Sequence, residues 1–170
     1  MGFDIEGVAT LTSSGTTLSL DGVNNWMSVN ANGILTRPQT PFMSGQLSGK
    51  GNTYNAGGGA LLVTADFNVG GCWNNATGFW TCPVAGYYMM TMGNIASGPG
   101  SGYPAIGKNG ANVHYTHWNH GANWHYISLS CVLQCAAGDT MFFYMFSYSP
   151  ATAGFYGVSG HGMYSIALMA

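Results

Sequence analysis

Four histidines crowd one stretch, His114-Tyr115-Thr116-His117-Trp118-Asn119-His120-Gly121-Ala122-Asn123-Trp124-His125. Imidazoles ligate metals and titrate near neutral pH, so this is where metal binding or a pH-responsive contact would be sought. On an extended strand, side chains alternate between faces. His114 and His120 then share one face and His117 takes the other, so a single strand cannot present all three to one ion. A loop over 119–123 relaxes that restriction, and a three-fold axis could gather one histidine from each of three chains. Ordinary loop histidines making hydrogen bonds fit the stretch better, and neither a metal nor a cofactor is expected. The same stretch carries Trp118 and Trp124, with Tyr115 and Tyr126 close by. Exposed aromatics beside Asn and His can stack on sugars. His117, Trp118, His120 and Trp124 therefore form the candidate ligand-binding set, weighed against aromatic packing at a subunit interface.

Catalysis finds little to work with. Paired-carboxylate hydrolysis needs two acids close together, yet Asp66 and Asp139 are the only acids after residue 42. Gly138-Asp139 reads as a turn, which occupies the second. GxSxG, HExxH and phosphate-loop patterns are absent, and no catalytic residue is expected. Cys72, Cys82, Cys131 and Cys135 contain no CxxC pair, so a structural zinc site is not expected. Cys131 and Cys135 lie about 13 Å apart along a strand, too far to bridge. Cys72 and Cys82 could bridge across a hairpin, but buried free thiols suit a reducing compartment better.

The elements that must hold these residues are strands. Glycine numbers 27 of 170 residues, aromatics make up 14%, and no long amphipathic helical pattern occurs. Thr16–Leu20 alternates polar and apolar. Asn109-Gly110, between Tyr103–Lys108 and Asn112–Thr116, is a hairpin turn in which both positions tolerate positive φ. In residues 124–135, Ile127, Leu129, Cys131 and Leu133 share a face opposite Ser128, Ser130 and Gln134, as in a half-buried strand. Thr140–Tyr148 is apolar on both faces and should be central. Gly162–Met169 reads as a last strand. Residues 1–42 are richer in Ser, Thr, Asn and Gly, and Pro38 and Pro41 stiffen their end. They read as an extended arm or small β segment preceding a domain over 43–170.

Charge narrows the partners. Charged residues make up 5% of the chain, against about 25% in ordinary domains. Three cations, Arg37, Lys50 and Lys108, cannot form the basic stripe that nucleic acid requires. So few charges protect a free monomer poorly against self-association, which points to a surface lying against other subunits. No apolar run is long enough to span a bilayer, so no membrane contact is expected. The first residues lack the basic and apolar regions of a secretory signal, so synthesis in a cytoplasm is expected.

Residues 67–91, FNVGGCWNNATGFWTCPVAGYYMMT, closely resemble the signature of the complement C1q globular head, within the tumour-necrosis-factor-like superfamily. The resemblance rests on Phe67, Asn68, Thr77, Gly78, Phe79, Thr81, Cys82, Pro83, Val84, Gly86, Tyr87 and Tyr88. Val132-Leu133-Gln134 followed by Gly138-Asp139, and then Tyr164–Leu168, resemble later landmarks of the family. It implies an all-β jelly-roll sandwich that binds and does not catalyse, assembled as a homotrimer around an apolar axis. Phe142, Tyr144, Phe146, Phe155 and Tyr156 are the candidate interface aromatics, and some aromatics of this region must instead be core. Gly86 is expected to bend or bulge the strand it opens. The acidic clusters of the family's calcium sites are lacking.

A looser resemblance links Met27–Phe42, MSVNANGILTRPQTPF, to a leader found in some bacteriophage virion proteins. It implies a particle protein assembled in a host cytoplasm. The expected role is a capsid decoration, or cement, protein whose arm (Trp26, Ile34, Arg37, Phe42) grips the major capsid protein. The alternative is a head-fibre or tail-fibre tip that binds a host glycan or receptor.

Overall fold

The computed structural model describes residues 4–5, 9–14, 17–20, 27–29, 35–36, 40–47, 59–97, 99–121, 124–149, 154–158 and 160–169. They divide into two compact units, Met1–Thr40 and Pro41–Ala170. In the first, β1 (Asp4–Ile5), β2 (Ala9–Ser14), β3 (Thr17–Leu20), β4 (Met27–Val29) and β5 (Leu35–Thr36) form one antiparallel sheet in chain order. Pairing each strand with its successor is the simplest topology a turn-rich segment can adopt.

The second unit is a sandwich of two antiparallel sheets, without a helix among the described residues. One sheet has the order β14 (His125–Cys135), β10 (Gly86–Ser97), β17 (Gly162–Leu168), β6 (Phe42–Gln46), β7 (Thr64–Val69), with β16 (Gly154–Phe155) also on β10. The other has the order β12 (Ala111–Tyr115), β11 (Gly100–Lys108), β15 (Thr140–Ser149), β9 (Phe79–Thr81), β8 (Trp73–Asn74), with β13 (Trp118–His120) also on β11. Neighbours in space are mostly distant in sequence, as in a jelly roll. β15 lies in the middle of its sheet, as its two-sided apolar pattern predicts. Phe42, grouped with the arm in the sequence, opens β6 in this unit.

Alternation builds the core. Tyr88, Met90 and Met92 of β10 point inward, with Met43, Tyr164 and Ile166 from the same sheet. Trp80, Ile106, Met141, Phe143 and Met145 come from the facing sheet. Ile127 and Leu133 of β14 are buried, and Leu129 and Cys131 pack partly against the core, on the face the sequence assigns them.

The signature block is scaffold. Asn68 staples the turn before β8: its Nδ2 donates to the Trp73 carbonyl at 2.9 Å, and its Oδ1 accepts from the Trp73 N–H at 3.1 Å. Gly78 sits at φ +73°, where a Cβ would meet the Leu61 carbonyl oxygen at 2.6 Å. Gly86 differs from expectation. The β10–β14 ladder runs without a register shift from Gly86, so no bulge forms there. A Cβ would meet Leu168 Cδ1, the end of a flexible side chain on β17, at 2.7 Å.

Candidate functional site

The outer face of the β14-β10-β17-β6-β7 sheet has the character of a docking surface. Val69, Phe42, Ala167, Met89 and Val132 fall in one register, giving an apolar row that crosses all five strands. Met89 is 40% exposed and Val132 52%. Tyr87, Tyr126, Met163 and Met169, all exposed, extend the surface. A parallel row reads Phe67, Ser44, Ser165, Thr91 and Ser130, where Ser130 Oγ donates to Thr91 Oγ1 at 3.2 Å. No Asp, Glu, Lys or Arg occurs in β10, β14 or β17. Contiguous exposed apolar surface on a soluble domain marks an interaction site. Sequence reasoning missed this face, although the two-sided apolar run Tyr87-Tyr88-Met89-Met90 signals a strand covered on both sides.

The aromatics proposed for a subunit interface are dispersed. Phe142 is nearly buried over Gly107, 5.3 Å from the Phe79 ring, and Tyr144 is half-buried beside it. Phe155 lies wholly inside the chain's own core, so it has no surface left for a neighbour. Tyr156 stands edge-on to Trp124 at 4.7 Å. The side chain of Phe146, and Trp26, Ile34 and Arg37, lie outside the described residues.

The His and Trp set divides. Trp118 is not exposed: it is 3% accessible and belongs to the core cluster. Pairing of β13 with β11 lays Trp118 against Gly102, on the inward side of the sheet, so it cannot meet an outside ligand. Trp124 is 58% exposed and held at φ +71°, an uncommon conformation for a bulky side chain. Tyr156 in turn meets His161 at 5.0 Å, so Trp124, Tyr156 and His161 form an aromatic cluster of their own. His117 is elsewhere, stacked on Tyr103 at 4.6 Å. The side chain of His120 lies outside the described residues. Among the described residues, no three His, Cys, Asp or Glu side chains converge as metal ligands.

The other polar centre ties two turns together. Asn109 (φ 51°) and Gly110 (φ 80°) form the predicted β11–β12 turn. Asn109 Nδ2 donates to Asp139 Oδ1 at 2.9 Å, and Asn109 Oδ1 accepts from the Thr140 N–H at 2.8 Å. Lys108 Nζ lies 2.8 Å from Asp139 Oδ2. Ala136 N–H donates to the same oxygen at 2.9 Å, so Asp139 closes its own turn as the sequence suggests. Hydrogen bonds from Lys108, Asn109 and the Ala136 amide hold the Asp139 carboxyl down to about 2, and Asp139 pushes the Lys108 ammonium up. These bonds commit the carboxylate to holding the two turns together.

The chain matches the C1q domain family over residues 60–164 and belongs to it. No curated protein sequence matches the chain. The globular domain of zebrafish complement 1qA has a similar structure: TM-score 0.59, 16% identity, covering 77% of this chain and 98% of that one. Murine APRIL is similar at TM-score 0.58 and 7% identity, covering 76% and 98%. The fold is thus the C1q/TNF-like jelly roll, whose members are typically non-enzymatic and typically form homotrimers.

Proposed function

We propose that the chain is a non-enzymatic, homotrimeric structural protein of a virus particle, decorating the head. In this reading, the segment before β6, residues 1–40, binds the major capsid protein and the jelly roll clamps neighbouring capsomers, stabilising the shell. The trimer rests on one observation, the charge-free apolar row Val69-Phe42-Ala167-Met89-Val132. A second and third copy of the same chain would cover it, as in a closed symmetric interface. The particle reading is supported by the scarcity of charge and by the leader-like Met27–Phe42 stretch. Quantitative mass spectrometry of purified particles tests it. A ratio near one copy per major capsid protein supports decoration, whereas absence from particles overturns the viral reading.

A receptor-binding fibre tip is the second reading. Its support is the Trp124–Tyr156–His161 cluster, an exposed aromatic platform suited to a host glycan. A few trimers per particle would favour it over decoration.

A further inference from the structure

We infer that the outer face of the β12-β11-β15-β9-β8 sheet holds a binding site for a neutral oligosaccharide, with one sugar ring seated between Phe79, Tyr144 and Asn112. The site begins with β15. Its Met141, Phe143 and Met145 belong to the core, so Phe142 and Tyr144, which alternate with them, face the other way. Phe142 is only 5% accessible, yet it stands outside the core cluster. The apolar row that supports the trimer lies on the other sheet. Neither the core nor that row therefore accounts for these two rings.

Register assembles the walls. Phe142 pairs with Phe79 of β9 on one side and with Gly107 of β11 on the other, and Gly107 pairs in turn with Asn112 of β12. The Phe142 ring lies over Gly107, where a Cβ would meet it. Phe79 stands edge-on to Phe142 at 5.3 Å, and Tyr144 does so at 6.4 Å. With Ala60, which bridges to Tyr144, and two glycines, these residues line a cavity of about 400 Å³. Small-molecule sites commonly enclose about 300–1,000 Å³.

The lining selects the ligand. None of its side chains is charged, and Lys108, beside Gly107 in the chain, is held by Asp139. An ion would find no countercharge there, so the ligand is neutral. Phe79 and Tyr144 are half-buried and offer aromatic surface, while exposed Asn112 brings an amide that both donates and accepts. A pyranose ring matches both: its C–H face packs on the rings, and its hydroxyls bond the amide. A purely apolar ligand would leave the amide unused. The aromatic surface also continues past the cavity. Ala105 lies between Tyr144 and Tyr115 in register. Tyr115 is 67% exposed and 6.0 Å from Tyr103, giving a next sugar ring its own platform. The site shares no residue with the Trp124–Tyr156–His161 cluster, and it needs only the jelly roll, whether or not the chain belongs to a particle.

The test is an array of neutral oligosaccharides of glucose, galactose, mannose and N-acetylglucosamine, probed with the full chain, with hits confirmed by saturation-transfer NMR. At least one should bind, and glucuronic acid should not. Asn112→Ala should weaken that hit about tenfold with the thermal midpoint unchanged. Tyr115→Ala should weaken the oligosaccharide but not its single-ring fragment, and Trp124→Ala should weaken neither. A wild-type chain that binds no neutral sugar, or binds only phenol as a stand-in for an aromatic side chain, would overturn the inference without recourse to any variant. So would binding lost in Trp124→Ala and kept in Asn112→Ala, which would move the sugar to the other cluster.

Discussion

Asn94 Nδ2 donates to the Tyr164 hydroxyl at 3.0 Å, and Asn94 is fully buried between β10 and β17. Its Oδ1 accepts from the Ile95 N–H at 2.6 Å. Gly162 lies opposite it in the ladder, and a Cβ there would collide with the Asn94 amide. Tyr164→Phe removes the acceptor and leaves a buried donor unpaired. The expected cost is about 1–3 kcal/mol in urea unfolding. Gly162→Ala should also destabilise, by crowding the amide off its partner.

The Lys108–Asp139 pair gives stability a pH dependence with a defined sign. Asp139 is depressed from 3.8 to about 2, so its contribution is complete above about pH 4 and fades as pH falls toward 2. Lys108 is raised above 10.5, so its contribution is complete below that value and is lost as pH climbs through the folded value. Asp139→Asn should flatten the acid limb of a thermal-midpoint profile between pH about 4 and about 2. An unchanged acid limb would rule out this pair as its source.

Met89→Glu places a carboxylate within the apolar row, between Ala167 and Val132. Burying an unpaired charge in an interface is costly, so the variant should sediment as monomer while keeping its strand-rich circular dichroism. Lys108→Ala, away from this face, should leave the wild-type association state unchanged. A Met89→Glu protein that stays trimeric would place the interface elsewhere.

Gly78→Ala puts a side chain at φ +73° against the Leu61 carbonyl. Left-handed strain alone costs about 1–2 kcal/mol, and the backbone collision adds to it, so the loss in chemical denaturation should exceed about 2 kcal/mol.

Trp124→Ala should move stability by less than about 1 kcal/mol, because the lost ring contact is offset by a smaller left-handed penalty. In the fibre-tip reading, the same substitution abolishes glycan binding on an array without altering the association state. Unchanged binding would remove Trp124 from that reading.

Local rules explain what the sequence made legible. Alternation in 124–135 predicts which side of β14 is buried, and Asn109-Gly110 predicts a turn with two positive φ values. Both depend on neighbours in the chain. The apolar row depends on which strands lie side by side. Strand spacing along the chain does not encode that. Trp118 misleads for a related reason: its Asn and His neighbours look like a wet loop, yet a short strand turns its ring inward. Gly86 shows the same limit, since the side chain it lies against, Leu168, is far away in sequence.

The central position of β17 has a consequence for biosynthesis. Gly162–Leu168 is made after every other described strand, yet it fits between β6 and β10. Until Leu168 clears the ribosome, β6 and β10 stand apart, each with an unpaired edge. Such edges invite pairing with other chains. The sandwich therefore completes only after translation has passed this strand, and many nascent copies on one messenger would expose open edges to one another during that interval.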